Sequence, residues 1–533
     1  MTTPPGVSPA VFDQALRRFG EVVGKDWLFT APEDVDLYKD AYSPWFGEER
    51  ERVASAAVAP DSVEQVQAVM RIANELAIPV YPISTGKNLT YGGSAPVLSG
   101  SVVLDLKRMN RILEVSEKNA FALVEPGVSY FDLYRHIREH KLKLWIDCPD
   151  PGWGSPLGNA LDHGAGRTAL PYRDHFEAHC GMEVVLADGD LVRTGMGALP
   201  GSKTWQQFRN GMGPIVDGLF AQSNFGVVTK MGFWLMPEPE AALTVTVAAP
   251  RHDDVARFTE ILATLYYAGI VPSQMGIISP VLMSQDPELT ALRLKPGGAS
   301  AAELDRWAQA HKMMFWTSQF TFYGPDKVNR AQWEHVRERF SAIDGISFSE
   351  DGGFRFPLSD DQIGKLTDRA VFGIPSLILF TSRQKPGDKP LEGHMDFSPV
   401  VPIDGETILE ALEVFNRIFA EAGVVPLGGV PQFYHTRAMT IIYAVPTGRD
   451  PETNRRSRET FSKLIDAAAQ RGWGEYRVHP AMMEQAVGVY SFNDHALRRL
   501  HETLKDAIDP KGIISAGRYG IWPKSLRQGR GRA

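Results

Sequence analysis

The chain has 533 residues, 43% hydrophobic and 23% charged, enough for at least two domains with separate cores. A formal net charge of −8 and a pI near 6.0 argue against a general nucleic-acid or anionic-membrane binder, which would carry a basic surplus. Cys148 and Cys180 are the only cysteines, so there is neither a disulfide framework nor a four-thiolate metal site. No stretch approaches the roughly 18 apolar residues of a membrane helix, and the start MTTPPGVSPAVFDQALRRFGE lacks the pattern of a secretory leader. The expectation is a soluble cytoplasmic protein with no membrane partner.

In chain order, PDSVEQVQAVMRIANELAIPVYPIS opens on a capping box from Ser62 to Gln65 and places Val66, Val69, Ala73 and Leu76 on one helical face. An extended run then reaches Ile83. SVVLDL (101–106) and FALVEPGV (121–128) read as strands, and SYFDLYRHIREHKL as an amphipathic helix starting near Ser129. Asp188-Gly189 in MEVVLADGDLVRTG signals a hairpin. After PEPE (237–240) three strand-then-helix units follow: LTVTVAA with DDVARFTEILATLYYAG, FWTSQFTFYG with KVNRAQWEHVRERF, and AMTIIYAVP with ETNRRSRETFSKLIDAAAQ. They suggest one separate sheet with helices on one face. From about Trp473 a Gly- and Pro-punctuated style resumes, ending in a basic tail, KSLRQGRGRA, read as a solvated end.

The stretch STGKNLTYGG (84–93) carries a Gly-Lys pair in a Gly-rich turn. A Walker A loop fails at two positions, because Asn88 follows Lys87 and Tyr81 stands five before Gly86. The Gly-x-Gly pieces elsewhere lack the third glycine of a Rossmann site. What remains is a turn whose backbone N–H groups can form an anion nest suited to a diphosphate, or an ordinary polar turn. In DHFEAHC, His175 and His179 stand at the i, i+4 spacing that places two imidazoles on one helix face, beside Asp174 and Cys180. A metal-dependent hydrolase is the distant alternative it offers, although no acid follows His175 directly to supply a general base.

PISTGKNLTYGGSAP, VEPGVSYFDL, LWIDCPDPGWGSPLGNALDHG, HCGMEVVLADGDLVRTGMGALPG, DGLFAQSNFGVVTKMGFWLMPEP, EGHMDFSPV, GEYRVH and DPKGIISAGRYGIWP, in that order, resemble the vanillyl-alcohol oxidase and p-cresol methylhydroxylase flavoprotein family. The resemblance implies an α+β fold: a two-part FAD-binding domain (1–240 and a C-terminal return, 473–533) with an inserted α+β cap or substrate domain (241–472). It implies that the backbone of Ser84, Thr85, Gly86, Lys87 and Asn88 holds the FAD diphosphate, with Pro126, Gly127, Gly158, Asn159, Gly226 and Val227 lining the rest of the cofactor. Tyr91, Tyr476 and Arg477 match the family's phenolate-binding trio. Asp150 matches its acid/base carboxylate, with Asp147 as the control position that is not expected to be essential. His394 matches the histidine that bonds covalently to the flavin 8α-methyl in the family's oxidases; its cytochrome-coupled members use tyrosine. A histidine that assists the linkage in fungal relatives is missing from AYSPWFGEERER.

Where relatives carry GVGYTPYGDH this chain has GAGRTALPYRDH, so Arg167 replaces a tyrosine that borders the substrate cavity. Arg167 either adds charge to the pocket or turns outward. The resemblance implies oxidation of para-substituted phenols with molecular oxygen as acceptor, a dehydrogenase or hydroxylase feeding a redox protein being the alternative. It also implies a homo-oligomer, dimeric or larger.

Overall fold

The computed structural model describes residues 3–169, 172–273, 275–378, 393–433 and 437–527. The last six residues of the basic tail lie outside them. Helix Val63–Leu76 starts where the sequence places it, with Ser62 Oγ accepting from the Gln65 N–H at 3.4 Å. The reciprocal bond is offset by one residue: the Gln65 side chain accepts from the Asp61 N–H, 2.9 Å, rather than from Ser62. Val66, Val69 and Ala73 are buried against Phe12, Leu16 and Phe19 of helix Pro9–Val23. The chain then enters strand Val80–Ile83, parallel to Val102–Asp105, in a four-stranded sheet. Val80 also bridges Ile514, and Ile513 and Ile514 complete this core, so the end of the chain returns to its beginning.

A five-stranded antiparallel sheet follows, in the order Ile112–Ser116, Phe121–Val124, Val227–Trp234, His179–Val185, Leu191–Arg193. Val185 pairs with Leu191 around the predicted turn, where Gly189 has φ +82°. The strand read over 121–128 ends at Val124 because Pro126 has no N–H to donate. There the Gly127 N–H bonds the Met109 carbonyl instead, 2.7 Å. Helix Tyr130–Glu139 is capped reciprocally by Ser129 and Asp132.

All three predicted helices of the second region form, as Asp254–Tyr267, Asp326–Phe340 and Pro451–Ala469. Their strands do not share one sheet. Ala241–Ala249 lies between Trp316–Gly324 and Ser347–Arg355 in a three-stranded antiparallel sheet, whereas Met439–Thr447 is the hub of a six-stranded one. The bridge between Ile278 and Thr317 links the two. One apolar core runs across both and extends to Val478, Met482 and Ala486. Strand pairing is chosen by long-range register, which the hydrophobic pattern of a single strand does not encode.

The six-stranded sheet delivers chemistry to its margin. In strand Gly393–Phe397, Met395 and Phe397 are buried, so His394 and Asp396 take the opposite face. Strand Gly474–Glu475 pairs with Pro399–Val401 and ends immediately before Tyr476 and Arg477.

Candidate active site

A cavity of about 450 Å³ opens where the N-terminal loops meet this margin. The sequence-predicted residues Ser84, Thr85, Gly86, Lys87, Asn88, Tyr91, Pro126, Asp150, Gly158, Asn159, Gly226, Val227, His394 and Arg477 all line it. Tyr476 adjoins the lining through Tyr91, to which its side chain is hydrogen-bonded. Gly127 and Arg167 stand outside it. A Cβ at Gly158 would crowd the Ser84 side chain, so glycine there lets the helix Pro156–Leu161 approach the loop without displacing it. One part of the wall is polar or cationic, from Ser84, Thr85, Asn88, Lys87 and Arg518; another is apolar, from Ile83, Leu106, Leu157 and Val228. That donor set fits a ligand combining an anionic diphosphate with a flat apolar ring, which is the chemistry of FAD.

In the same cavity, the Arg477 guanidinium lies 3.9 Å from the ring centroid of buried Tyr91 and 5.3 Å from that of Tyr476. Burial pushes the Tyr476 hydroxyl upward in pKa, opposed by the Arg477 charge. Arg477 loses hydration on burial too, yet Tyr476, Tyr91 and Asp162 hold it well above its ordinary value, so it stays charged. Asp162 was passed over in the sequence. It is buried and accepts from Asn88 Nδ2 at 2.7 Å, Tyr519 OH at 2.8 Å and Arg518 Nη2 at 2.9 Å, with Arg477 Nη1 3.9 Å away. Burial alone would raise its carboxyl; the charges of Arg518 and Arg477 and the bonds from Tyr519 and Asn88 hold it below the usual range. Arg518 and Tyr519 in GRYGIWP and Asp162 in NALDHG all lie in segments that carry the resemblance, but a lone Asp has no spacing pattern to mark it.

Asp150 lines the cavity, and Asp147 does not. Asp147 is buried and accepts from the N–H groups of Arg167 (3.1 Å) and Thr168 (2.7 Å) and from the Thr168 hydroxyl, with His175 Nε2 at 2.6 Å. The opposite nitrogen of His175 lies 3.0 Å from Tyr130 OH and 2.5 Å from Asn159 Oδ1. A Cβ on Gly166 would fall 1.4 Å from Asp147 Oδ2, so the segment closes over this carboxylate only with glycine there. The Arg167 guanidinium donates to Asp368 Oδ2 at 2.7 Å, and neither residue lines the cavity.

His394 and Asp396 also line the cavity, with His394 Nε2 3.5 Å from Asp396 Oδ1 and the Tyr42 ring 5.7 Å from the imidazole. The Tyr42 hydroxyl is raised by burial and by Asp396.

The helix read into DHFEAHC does not form: the segment turns, and His179 enters strand His179–Val185. His175 serves Asp147, and His179 Nε2 lies 3.4 Å from Asp217. Among the described residues no group of three His, Cys, Asp or Glu side chains converges on a metal position.

The family model described as an FAD binding domain matches residues 54–195. The flavoprotein subunit of 4-cresol dehydrogenase [hydroxylating] from Pseudomonas putida is 33% identical, over 97% of both chains. Among solved structures, 4-ethylphenol oxidase from Gulosibacter chungangensis superposes with a TM-score of 0.87 at 36% identity, covering 99% of this chain and 100% of that one. Substrate-bound p-cresol methylhydroxylase gives 0.86 at 31% identity, over 98% and 99%. With an FAD-binding domain, full-length similarity to these phenol-oxidising flavoenzymes and the same fold, the chain belongs to the vanillyl-alcohol oxidase and p-cresol methylhydroxylase family of FAD-dependent oxidoreductases.

Proposed function

We propose that the protein is an FAD-dependent oxidase of para-substituted phenols, acting on 4-hydroxybenzylic alcohols, 4-alkylphenols or 4-allylphenols. The observation that carries this reading is the Tyr91, Tyr476 and Arg477 cluster at a cavity that the 84–88 loop also lines. The division into residues 1–240, 241–472 and 473–533 belongs to the same proposal. When bound, FAD supplies a hydride acceptor that no side chain can provide. The backbone of 84–88 would hold its diphosphate, and His394, in the same lining, would carry the covalent link.

A free phenol ionises near pH 10. Held against Arg477 and the two tyrosine hydroxyls, its oxygen meets a permanent positive charge and oriented donors, which favour phenolate at neutral pH. Phenolate pushes electron density toward the para carbon and eases departure of the benzylic hydride. The substrate is left as a quinone methide, and Asp150 would take a proton from the water that attacks it. Two electrons and two protons then reach dioxygen as hydrogen peroxide.

The alternative acceptor is a small redox protein, favoured by the relative named as a dehydrogenase flavoprotein subunit. Peroxide release from yellow holoprotein across a panel of para-substituted phenols, with oxygen as sole acceptor, decides between them: the oxidase reading expects near-stoichiometric peroxide. Acid precipitation checks the link, since His394→Ala should release to the supernatant the flavin that wild type retains in the pellet.

A further inference from the structure

Asp162 is the one carboxylate hydrogen-bonded into the arginine cluster beside the trio, among the described residues. Its donors come from distant segments: Asn88 from the diphosphate loop, and Arg518 and Tyr519 from the C-terminal return. Arg477 Nη1 also donates to the Asp162 backbone carbonyl at 3.3 Å. Arg518 Nη1 donates to Tyr81 OH at 3.0 Å, and Tyr91 and Tyr476 face Arg477. Two further charges lie nearby: Arg52, which feels both Arg518 and Asp40, and Asp396, which acts on Tyr476. A cation pair in a water-poor wall repels itself, and an interposed carboxylate relieves that repulsion while subtracting from the field felt by any ligand beyond it.

We propose that Asp162 is a positioning residue and counter-charge for the phenol site: it fixes Arg477 and Arg518 in place and limits how far their combined charge favours phenolate. The inference rests on the phenol-oxidase reading and adds the element that tunes it. Without this carboxylate the two arginines would hold a bound phenol ionised to a lower pH than catalysis needs, and would bind other anions there as well.

The test uses FAD-loaded protein and 4-nitrophenol, which has no benzylic carbon to oxidise and whose ionisation is visible by its colour. The pH midpoint for ionisation of bound 4-nitrophenol is measured in wild type, Asp162→Asn and Asp162→Glu. In Asp162→Asn the midpoint should fall by about one pH unit; in Asp162→Glu it should stay near wild type. An unchanged or raised midpoint in Asp162→Asn overturns the counter-charge role. If Asp162→Asn does not yield holoprotein, the charge-balanced pair Asp162→Asn with Arg518→Gln takes its place. A midpoint within about half a unit of wild type in that pair supports the proposal, and a larger displacement overturns it. If wild type itself binds 4-nitrophenol without favouring the ionised form, the phenolate reading fails along with this one, which separates the two failures.

Discussion

Of two buried carboxylates, Asp162 lines the cavity and Asp147 stands outside its lining, and their partners differ in kind. Asp147 is held by neutral backbone and hydroxyl donors plus His175, all within residues 167–175. Asp162 is held by two guanidinium groups, a phenol and an amide drawn from three separate parts of the chain. A carboxylate satisfied locally by backbone N–H groups fixes the path of one loop. One satisfied by cations from remote segments joins those segments and sets the field between them. The first shapes a scaffold; the second shapes reactivity.

The sharpest break of this comparison is Asp147→Ala. It strips the acceptor from two backbone N–H groups, the Thr168 hydroxyl and His175, with Thr168 and His175 themselves buried, and should cost about 3–5 kcal/mol of stability. Thermal unfolding of the holoprotein checks it. A loss below about 1 kcal/mol would show that Asp147 is not a scaffold residue. The expectation that Asp150 rather than Asp147 is essential concerns the proposed chemistry, whereas this prediction concerns the fold.

Arg477→Ala tests the other pole. It removes the permanent charge proposed to favour phenolate, and kcat/KM for 4-ethylphenol should drop by about 10²-fold or more. Flavin content, measured on the same preparation, separates lost chemistry from lost cofactor, because Arg477 and Asn88 of the 84–88 loop approach the same Asp162 oxygen. Undiminished turnover would end the phenolate assignment.

What was legible in the sequence follows the same divide between local and remote. The helices of the second region declared themselves through amphipathic spacing, because a helix satisfies its backbone within itself. Their strands could be seen but not assigned to sheets: Met439–Thr447 finds its partners in Gly393–Phe397, Pro399–Val401 and Leu427–Phe433 only when the chain folds. The i, i+4 histidines of DHFEAHC misled because their spacing has meaning only on a helix, and Asp147 and Asp217 draw the two rings to different partners. Tyr91 and Arg477 were found through resemblance. Asp162 escaped because its partners Arg518 and Tyr519 are brought to it only by the C-terminal return.

The smallest expected effect separates burial from pairing. Glu475, adjacent to the trio in sequence, accepts from the Ser398 N–H at 2.9 Å and forms no salt bridge among the described residues. Burial, reinforced by Asp396, pushes its carboxyl well above the ordinary value. The sign is opposite to that at Asp162. A carboxyl raised on folding binds more protons folded than unfolded, so its stabilising contribution is full below the unfolded pKa and is lost as pH rises toward the folded value. Asp162, lowered on folding, contributes above the unfolded carboxylate range and loses that contribution as pH falls through its own lowered value. Glu475→Gln should therefore leave the acid side of the stability profile nearly unchanged and raise the melting temperature slightly near neutral pH. Asp162→Asn should lower it at neutral pH and flatten its fall in acid. Melting temperatures of wild type and both variants, measured from about pH 3 to 8, check the pair together. If the two substitutions shift the neutral melting temperature in the same direction, pairing with arginine is not what distinguishes the two carboxylates.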